Sequence, residues 1–148
     1  SKSEPKLTIS YSDSEILAPT VEHVAFNNRD QLLQMLNEVD VIVCCAGDEA
    51  SLNDAISALM LAKPLIVCSS IRLSCMIEDG ESGLIFDDAK VESLAEMIAK
   101  VVSDPVKAGR IGLLGRAVYE AELTADAFSE KFLRLIQGQE ELRLPVVQ

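Results

Sequence analysis

Two short runs decide most of what this chain can fold into. Asp40–Cys45 (DVIVCC) and Leu65–Ser69 (LIVCS) are almost unbroken stretches of apolar residues. A strand that shows one face to water alternates apolar and polar residues, whereas a strand apolar at every position is covered on both faces. Between the runs, Ser51–Ala62 repeats Leu52, Ile56, Leu59 and Met60 at helical spacing. Lys63-Pro64 then stops the helix, because proline lacks the N–H that a helix needs and clashes with the preceding turn. Strand, helix, strand is the unit of a parallel sheet, joined by a right-handed crossover. Sheets of this kind hold ligands beyond the carboxyl ends of their strands. The loops after Cys45 and Ser69 are therefore where a site is expected.

The remaining segments fit the same plan. Leu7–Tyr11 (LTISY) and Val21–Phe26 (VEHVAF) read as strands. Leu32, Leu33, Leu36 and Val39 stand at helical spacing, with Asp30 or Asn28 as the cap. Ile71–Ile77 suits one or two helical turns, Asp79–Gly83 a turn, and Leu84–Phe86 a short strand. Three helices follow: Val91–Val102; Val106–Ala121, weakened by Gly109, Gly112 and Gly115; and Thr124–Gln137, ended by Gly138. The expected fold class is α/β, a parallel sheet with flanking helices followed by carboxyl-terminal helices. It is expected to form one domain over residues 1–148, with a core at 7–138 and loose termini at 1–6 and 139–148.

Composition narrows the partners. A chain of 148 residues can bury a core without metals or disulfides, and with 49% hydrophobic but 4% aromatic residues that core must be aliphatic. Lys and Arg total 13 against 24 Asp and Glu, a net charge of −11. Nucleic acid is excluded as a partner, because its binding runs on phosphate neutralisation, and strong binding to anionic membranes is disfavoured on the same ground. Cys44, Cys45, Cys68 and Cys75 form no CxxC pair, so zinc is not expected, and the first three should be buried free thiols. No secretory leader or bilayer-length apolar stretch is visible, which points to a reducing, cytoplasmic setting. A first residue of Ser1 rather than Met is expected of a chain cut from a longer protein.

Three segments occur in an informative order: LLQMLNEVDVIVCCAGDE, then ASLNDAISALMLAKPLIVCSS, then IEDGESGLIFDDAKVESLAEMIAKVVSDP. Their succession resembles the carboxyl half of family 4 glycosyltransferases, over about Val21–Gln137. The turn MIEDGESGLIFDD is the most specific part, since its glycines, apolar triplet and following helix all fall in register. The resemblance implies the Rossmann-like carboxyl-terminal half of the GT-B fold. It also implies a nucleoside-diphosphate-sugar donor, retention of configuration, no cofactor or essential metal, and an amino-terminal half that binds the acceptor.

Site residues follow from the same register. The family has two glutamates, the first at the start of a helix against the donor sugar and the second against the ribose. With Pro64 on the family proline, the first falls on Glu49 and the second on Ser57, which is not a glutamate. The family glycine before the proline becomes Ala62, and the aromatic-glycine pair becomes Ser51 and Leu52. The resemblance therefore implies a donor site at Gly47, Glu49, Ala50, Ser51, Leu52 and Ser57. A helix amino terminus near Ala50 could meet a diphosphate through its N–H groups and dipole, and Gly47 permits close approach of backbone. Lys63 and Arg72 are the nearest basic candidates in sequence, with Arg72 as a phosphate contact. No catalytic residue is assigned.

Each of these residues also has a plainer role. Glu49 can be an acid favoured by the helix dipole, Ser57 a small packed residue, and Arg72 a solvated charge. Ser69 and Ser70 can cap the next helix rather than meet a ligand. His23, the only histidine, has no Cys or acidic partner at triad spacing. Glu78, Asp79, Glu81, Asp87 and Asp88 lack the spacing of a calcium loop. The spacing of Gly109, Gly112 and Gly115 suits close helix packing better than phosphate binding. Two functions remain: the donor half of a glycosyltransferase, inactive alone, or a non-catalytic module of the same shape serving assembly or regulation.

Overall fold

The structure is a computed structural model that describes residues 7–10 and 28–138. The expected strand Val21–Phe26, His23 and the two termini lie outside the described residues. Among the described residues four strands, β1 (Leu7–Ser10), β2 (Val41–Cys44), β3 (Leu65–Cys68) and β4 (Leu84–Phe86), form one sheet in the order β1-β2-β3-β4. All pairings are parallel. The helices are α1 (Arg29–Glu38), α2 (Glu49–Met60), α3 (Val91–Ser103), α4 (Pro105–Val118) and α5 (Ala125–Ile136). A 3₁₀ segment spans Arg72–Met76, where one or two helical turns are expected.

The two apolar runs behave as their composition requires. Every residue of β2 and β3 is buried, on both faces. Ile42, Val43, Cys44, Ile66, Val67 and Cys68 are wholly inaccessible, as are Ala55, Ala58 and Leu59 of α2, which packs on both strands. Each of the larger aliphatic chains contributes roughly 1.5–3 kcal/mol by leaving water. The first run ends one residue early, however. Cys45 lies beyond β2 and is only half-buried, which corrects the expectation that it is hidden with Cys44 and Cys68.

Helix ends are set by local hydrogen bonds. The Asn28 side chain accepts from Gln31 N–H at 3.0 Å, which makes Asn28 rather than Asp30 the cap of α1. At α2, Asp48 Oδ1 accepts from Ser51 N–H at 2.8 Å, so the helix begins at Glu49, two residues before the apolar spacing alone would start it. The other end of α2 closes as a Schellman motif: Lys63 N–H donates to Ala58 O and Ala62 N–H to Leu59 O. That motif needs a left-handed residue, and Ala62 supplies it at φ 56°, in the position where the family pattern has glycine.

α4 docks against this corner. A Cβ on Gly112 would lie 2.2 Å from Ala62 O, and one on Gly115 2.8 Å from Leu59 Cδ2 and 2.9 Å from Ser82 O. Arg116, one residue on, donates from its guanidinium to Met60 O, an end carbonyl of α2 with no acceptor role left inside the helix. Two of the three glycines thus allow close packing, while Gly109 faces open space. α4 stops at Val118, and Tyr119–Leu123 continues as a π-helical segment in place of the last turn expected to Ala121. The Asp79–Gly83 turn is built from its own polar groups: Ser82 Oγ accepts from Glu78 N–H at 2.8 Å, and Asp79 Oδ1 from Ile85 N–H at 2.9 Å.

Candidate functional site

β2, β3 and β4 all end at one edge, and three loops leave it. The loop after β2 carries Gly47 and Asp48 into α2. A Cβ on Gly47 would sit 3.1 Å from Ser70 Oγ and 3.3 Å from Ser70 O, so this position has little room for a side chain. Ser70 Oγ in turn lies 3.3 Å from Cys68 Sγ. The loop after β4 returns Asp88 to the same place: Asp88 Oδ1 accepts from Ser69 Oγ at 3.0 Å and Ser70 N–H at 3.4 Å. Ser74 Oγ donates to Ser69 O at 3.2 Å. These bonds tie the loops after β3 and β4 into one rim, against which Gly47 of the β2 loop packs closely.

Ser69 and Ser70 therefore do not cap the next helix. The 3₁₀ segment is preceded by Ile71, with no side-chain cap. Asp88, 19 positions from Ser69, is the member of the rim that sequence spacing does not reveal. The rule that ligands sit beyond strand ends marks it once β4 is known to stop at Phe86.

Of the expected site residues, Gly47, Glu49 and Ala50 are brought together at this edge, at the start of α2, with Glu49 and Ala50 exposed. Leu52 is half-buried and Ser51 is buried, its N–H committed to Asp48. Leu52 N–H donates to the Asp48 carbonyl. The Glu49 and Ala50 N–H groups are left at the helix end, where no intrahelical acceptor exists. Ser57 is 4% exposed, and its hydroxyl donates to Asn53 O at 2.9 Å, within its own helix. It packs and does not point a polar group outward. Arg72 opens the 3₁₀ segment and is exposed. Lys63 lies at the opposite end of β3, where its Nζ donates to Asn37 O at 2.8 Å. Its place just before β3 removes it from the site.

The electrostatics of the rim are acidic. The bond from Ser51 N–H, with a second from the Ser51 side chain, holds the Asp48 carboxyl below its ordinary range. Burial pushes the Asp88 carboxyl up, but hydrogen bonds from Ser70 and Ser69 outweigh it and hold the group low. Burial pushes the Cys45 thiol up, with Cys68 and Asp88 adding to the effect. Near neutral pH the rim thus carries the Asp48 and Asp88 carboxylates and a neutral Cys45 thiol. Among the described residues, no group of three or more His, Cys, Asp or Glu could hold a metal ion, and no helix is long and apolar enough to cross a membrane.

A parallel sheet with flanking helices, a loop-to-helix turn at its carboxyl edge and a following run of helices define the Rossmann-like half of a GT-B protein. Solved structures share it. The chain aligns with Anabaena HepE in complex with UDP at a TM-score of 0.60 and 14% identity, covering 71% of this chain and 29% of that one. It aligns with sucrose-phosphate synthase from Thermosynechococcus elongatus at 0.60 and 21%, covering 74% and 28%. With the C-terminal domain of LpcC, a glycosyl transferase group 1 family protein from Francisella tularensis, the values are 0.60, 17%, 71% and 53%. The family model for glycosyl transferases group 1 matches residues 1–118, and the chain belongs to that family. A GDP-mannose-dependent mannosyltransferase from Corynebacterium glutamicum is 28% identical over 58 residues, 39% of this chain and 15% of that protein. The chain thus spans less than a third of HepE and of the synthase, and a smaller share of the mannosyltransferase.

Proposed function

We propose that this chain is the donor-side half of a two-domain, family 4 type glycosyltransferase of the cytoplasm. It would hold a nucleoside-diphosphate sugar at the rim while an amino-terminal half holds the acceptor. The observation that carries the reading is Glu49: it heads α2 at the carboxyl end of β2, beside Gly47, in the family register. The exposed amides of Glu49 and Ala50 and the positive end of the helix suit a diphosphate, and Arg72, just beyond the carboxyl end of β3, is a candidate cation for it. Catalysis in such a fold needs the cleft between two halves, so the 148-residue chain alone is expected to transfer no sugar.

A second reading, a glycosyltransferase-shaped module with weakened or lost donor binding that serves assembly or regulation, is favoured by Ser57. A carboxylate at that position would accept charge-assisted bonds from a ribose diol, whereas the Ser57 hydroxyl is directed to Asn53 O. Losing such a bond lowers affinity by about 1.5–3 kcal/mol, or roughly 10- to 150-fold. The acidic rim lowers it further. Affinity for UDP or GDP is therefore expected at about millimolar or weaker.

NMR titration of the chain and of Ser57→Glu with UDP and GDP decides between the two. Shifts clustered at residues 47–57 and larger in the variant support the donor half. If neither protein responds at high nucleotide while both spectra stay dispersed, the donor site is removed and the module reading stands.

A further inference from the structure

One carboxylate oxygen holds the corner that faces Gly47. Residues 68–71 form a tight turn, closed by the bond from Ile71 N–H to Cys68 O at 3.2 Å. Its two corner residues, Ser69 and Ser70, both donate to Asp88 Oδ1, from Ser69 Oγ at 3.0 Å and from Ser70 N–H at 3.4 Å. Asp88 comes from the loop after β4, 18 positions beyond Ser70. Ser70 carries the constraint onward. Its Oγ and carbonyl oxygen stand 3.1 and 3.3 Å from where a Cβ on Gly47 would be, so they form a wall against the backbone that leads into α2.

Asp88 is itself held from both sides. Asp87 N–H donates to Ser93 Oγ of α3 at 3.4 Å, Ala89 N–H to Asp87 Oδ1 at 3.0 Å, and Lys90 N–H to Asp87 O at 2.9 Å. The backbone around Asp88 is thus fixed before its side chain makes any bond. Asp88 is also exposed. Water can satisfy an exposed carboxylate, so its hydrogen bonds contribute only modestly to stability. Two donors gathered on one oxygen at such a place set geometry more than they hold the fold together.

We propose that Asp88 is a positioning residue for the donor edge. Through Ser70 it sets where Gly47 lies, and with it the backbone that presents Glu49 and Ala50 to a diphosphate. This deepens the donor-side reading and rests on it. The carboxylate also repels a diphosphate, so its removal changes charge and position at once. Asp88→Asn and Asp88→Ala separate the two effects. They carry the same charge, but asparagine keeps an oxygen where Oδ1 stands and alanine keeps none.

The test uses the whole chain in both variants, with UDP as the probe. The Kd read by NMR titration should be about two- to tenfold weaker in Asp88→Ala than in Asp88→Asn, the loss of one such bond. A second readout needs no nucleotide. Ser51 N–H is protected by its bond to Asp48, the residue after Gly47. Its hydrogen exchange should be several-fold faster in Asp88→Ala than in Asp88→Asn, with the amides of β2 and β3 exchanging alike in both. A merely structural loss would speed all of these amides together. Equal UDP affinity in the two variants, or equal exchange at Ser51, overturns the proposal. If neither variant nor the unchanged chain responds to UDP, the donor-side reading fails on its own, and exchange at Ser51 alone decides whether Asp88 positions the Gly47 loop.

Discussion

Gly109 and Gly112 sit one turn apart on α4, yet replacing each by alanine should move stability in opposite directions. A methyl on Gly112 would come within 2.2 Å of Ala62 O, 2.9 Å of Ala62 C and 3.2 Å of Lys63 C. These are backbone atoms of the Schellman turn, so no side chain can swing away. α4 must instead lift by about 1 Å, which also strains the bond from Arg116 to Met60 O. Overpacking of this kind costs roughly 1–3 kcal/mol, and a contact with backbone belongs at the upper end. The gain in helix propensity from glycine to alanine returns about 1 kcal/mol, leaving a net loss of about 2. Gly109 meets nothing within 4 Å. Its replacement keeps only the propensity gain, about 0.5–1 kcal/mol. With a urea slope of about 2 kcal/mol/M, the midpoint for Gly112→Ala should fall by about 1 M and that for Gly109→Ala rise by a few tenths. Denaturation followed by circular dichroism reads both. Changes of the same sign, or a neutral Gly112→Ala, would refute the docking geometry of α4 on α2.

Other outcomes follow from particular residues. Ala62→Gly should relieve a left-handed strain of about 1–2 kcal/mol and lose about 0.4–1 kcal/mol to unfolded-chain entropy, for a net rise of roughly 1–3 °C in Tm by calorimetry; a lower Tm contradicts the assignment of φ 56°. Alkylation followed by mass spectrometry should label exposed Cys75 first and half-buried Cys45 more slowly, with Cys44 and Cys68 reacting only on unfolding; labelling of Cys44 alongside Cys75 would contradict the burial of β2. The folded Asp88 carboxyl titrates below its unfolded value of about 3.9, so its contribution is present above that pH and is lost as pH falls through the folded pKa. The stability gap between the chain and Asp88→Asn should therefore stay constant near neutrality and close in acid, as read by urea midpoints against pH.

Strands and helices were legible where one residue type could do only one thing. β2 and β3 announce themselves because a run such as VIVC has no polar side to show, and Gly138 marks the end of α5 by its φ of +68°. Ends set by a single side chain were less visible. Asp48 resembles part of a turn until its carboxylate is seen on Ser51 N–H, and that bond moves the helix start. The π-helical segment Tyr119–Leu123 has no local signal at all. At the sheet edge, the places of Gly47 and Glu49 were readable because they follow from where β2 ends and α2 begins. The directions of Ser57 and Lys63 were not, since a hydroxyl turned back on Asn53 O and an ammonium on Asn37 O depend on packing. The Asp88 link to Ser69 spans the sheet edge, and no short-range pattern predicts it.

The strand order also bears on how the chain folds. Among the described residues, β2, β3 and β4 each lie beside their neighbour in sequence, so neither of their pairings has to wait for a distant segment to arrive. The unit from Val41 to Cys68 contains two wholly buried strands and the helix that joins them, and its contacts close a short loop. Structure should nucleate there and spread outward to β4 and α4, as low contact order favours. Truncations such as Ile42→Val or Leu59→Ala would then slow refolding, whereas changes on α5 would alter only the unfolding rate. Stopped-flow chevrons on both sets would show it, and slowed refolding from α5 variants would place the nucleus elsewhere.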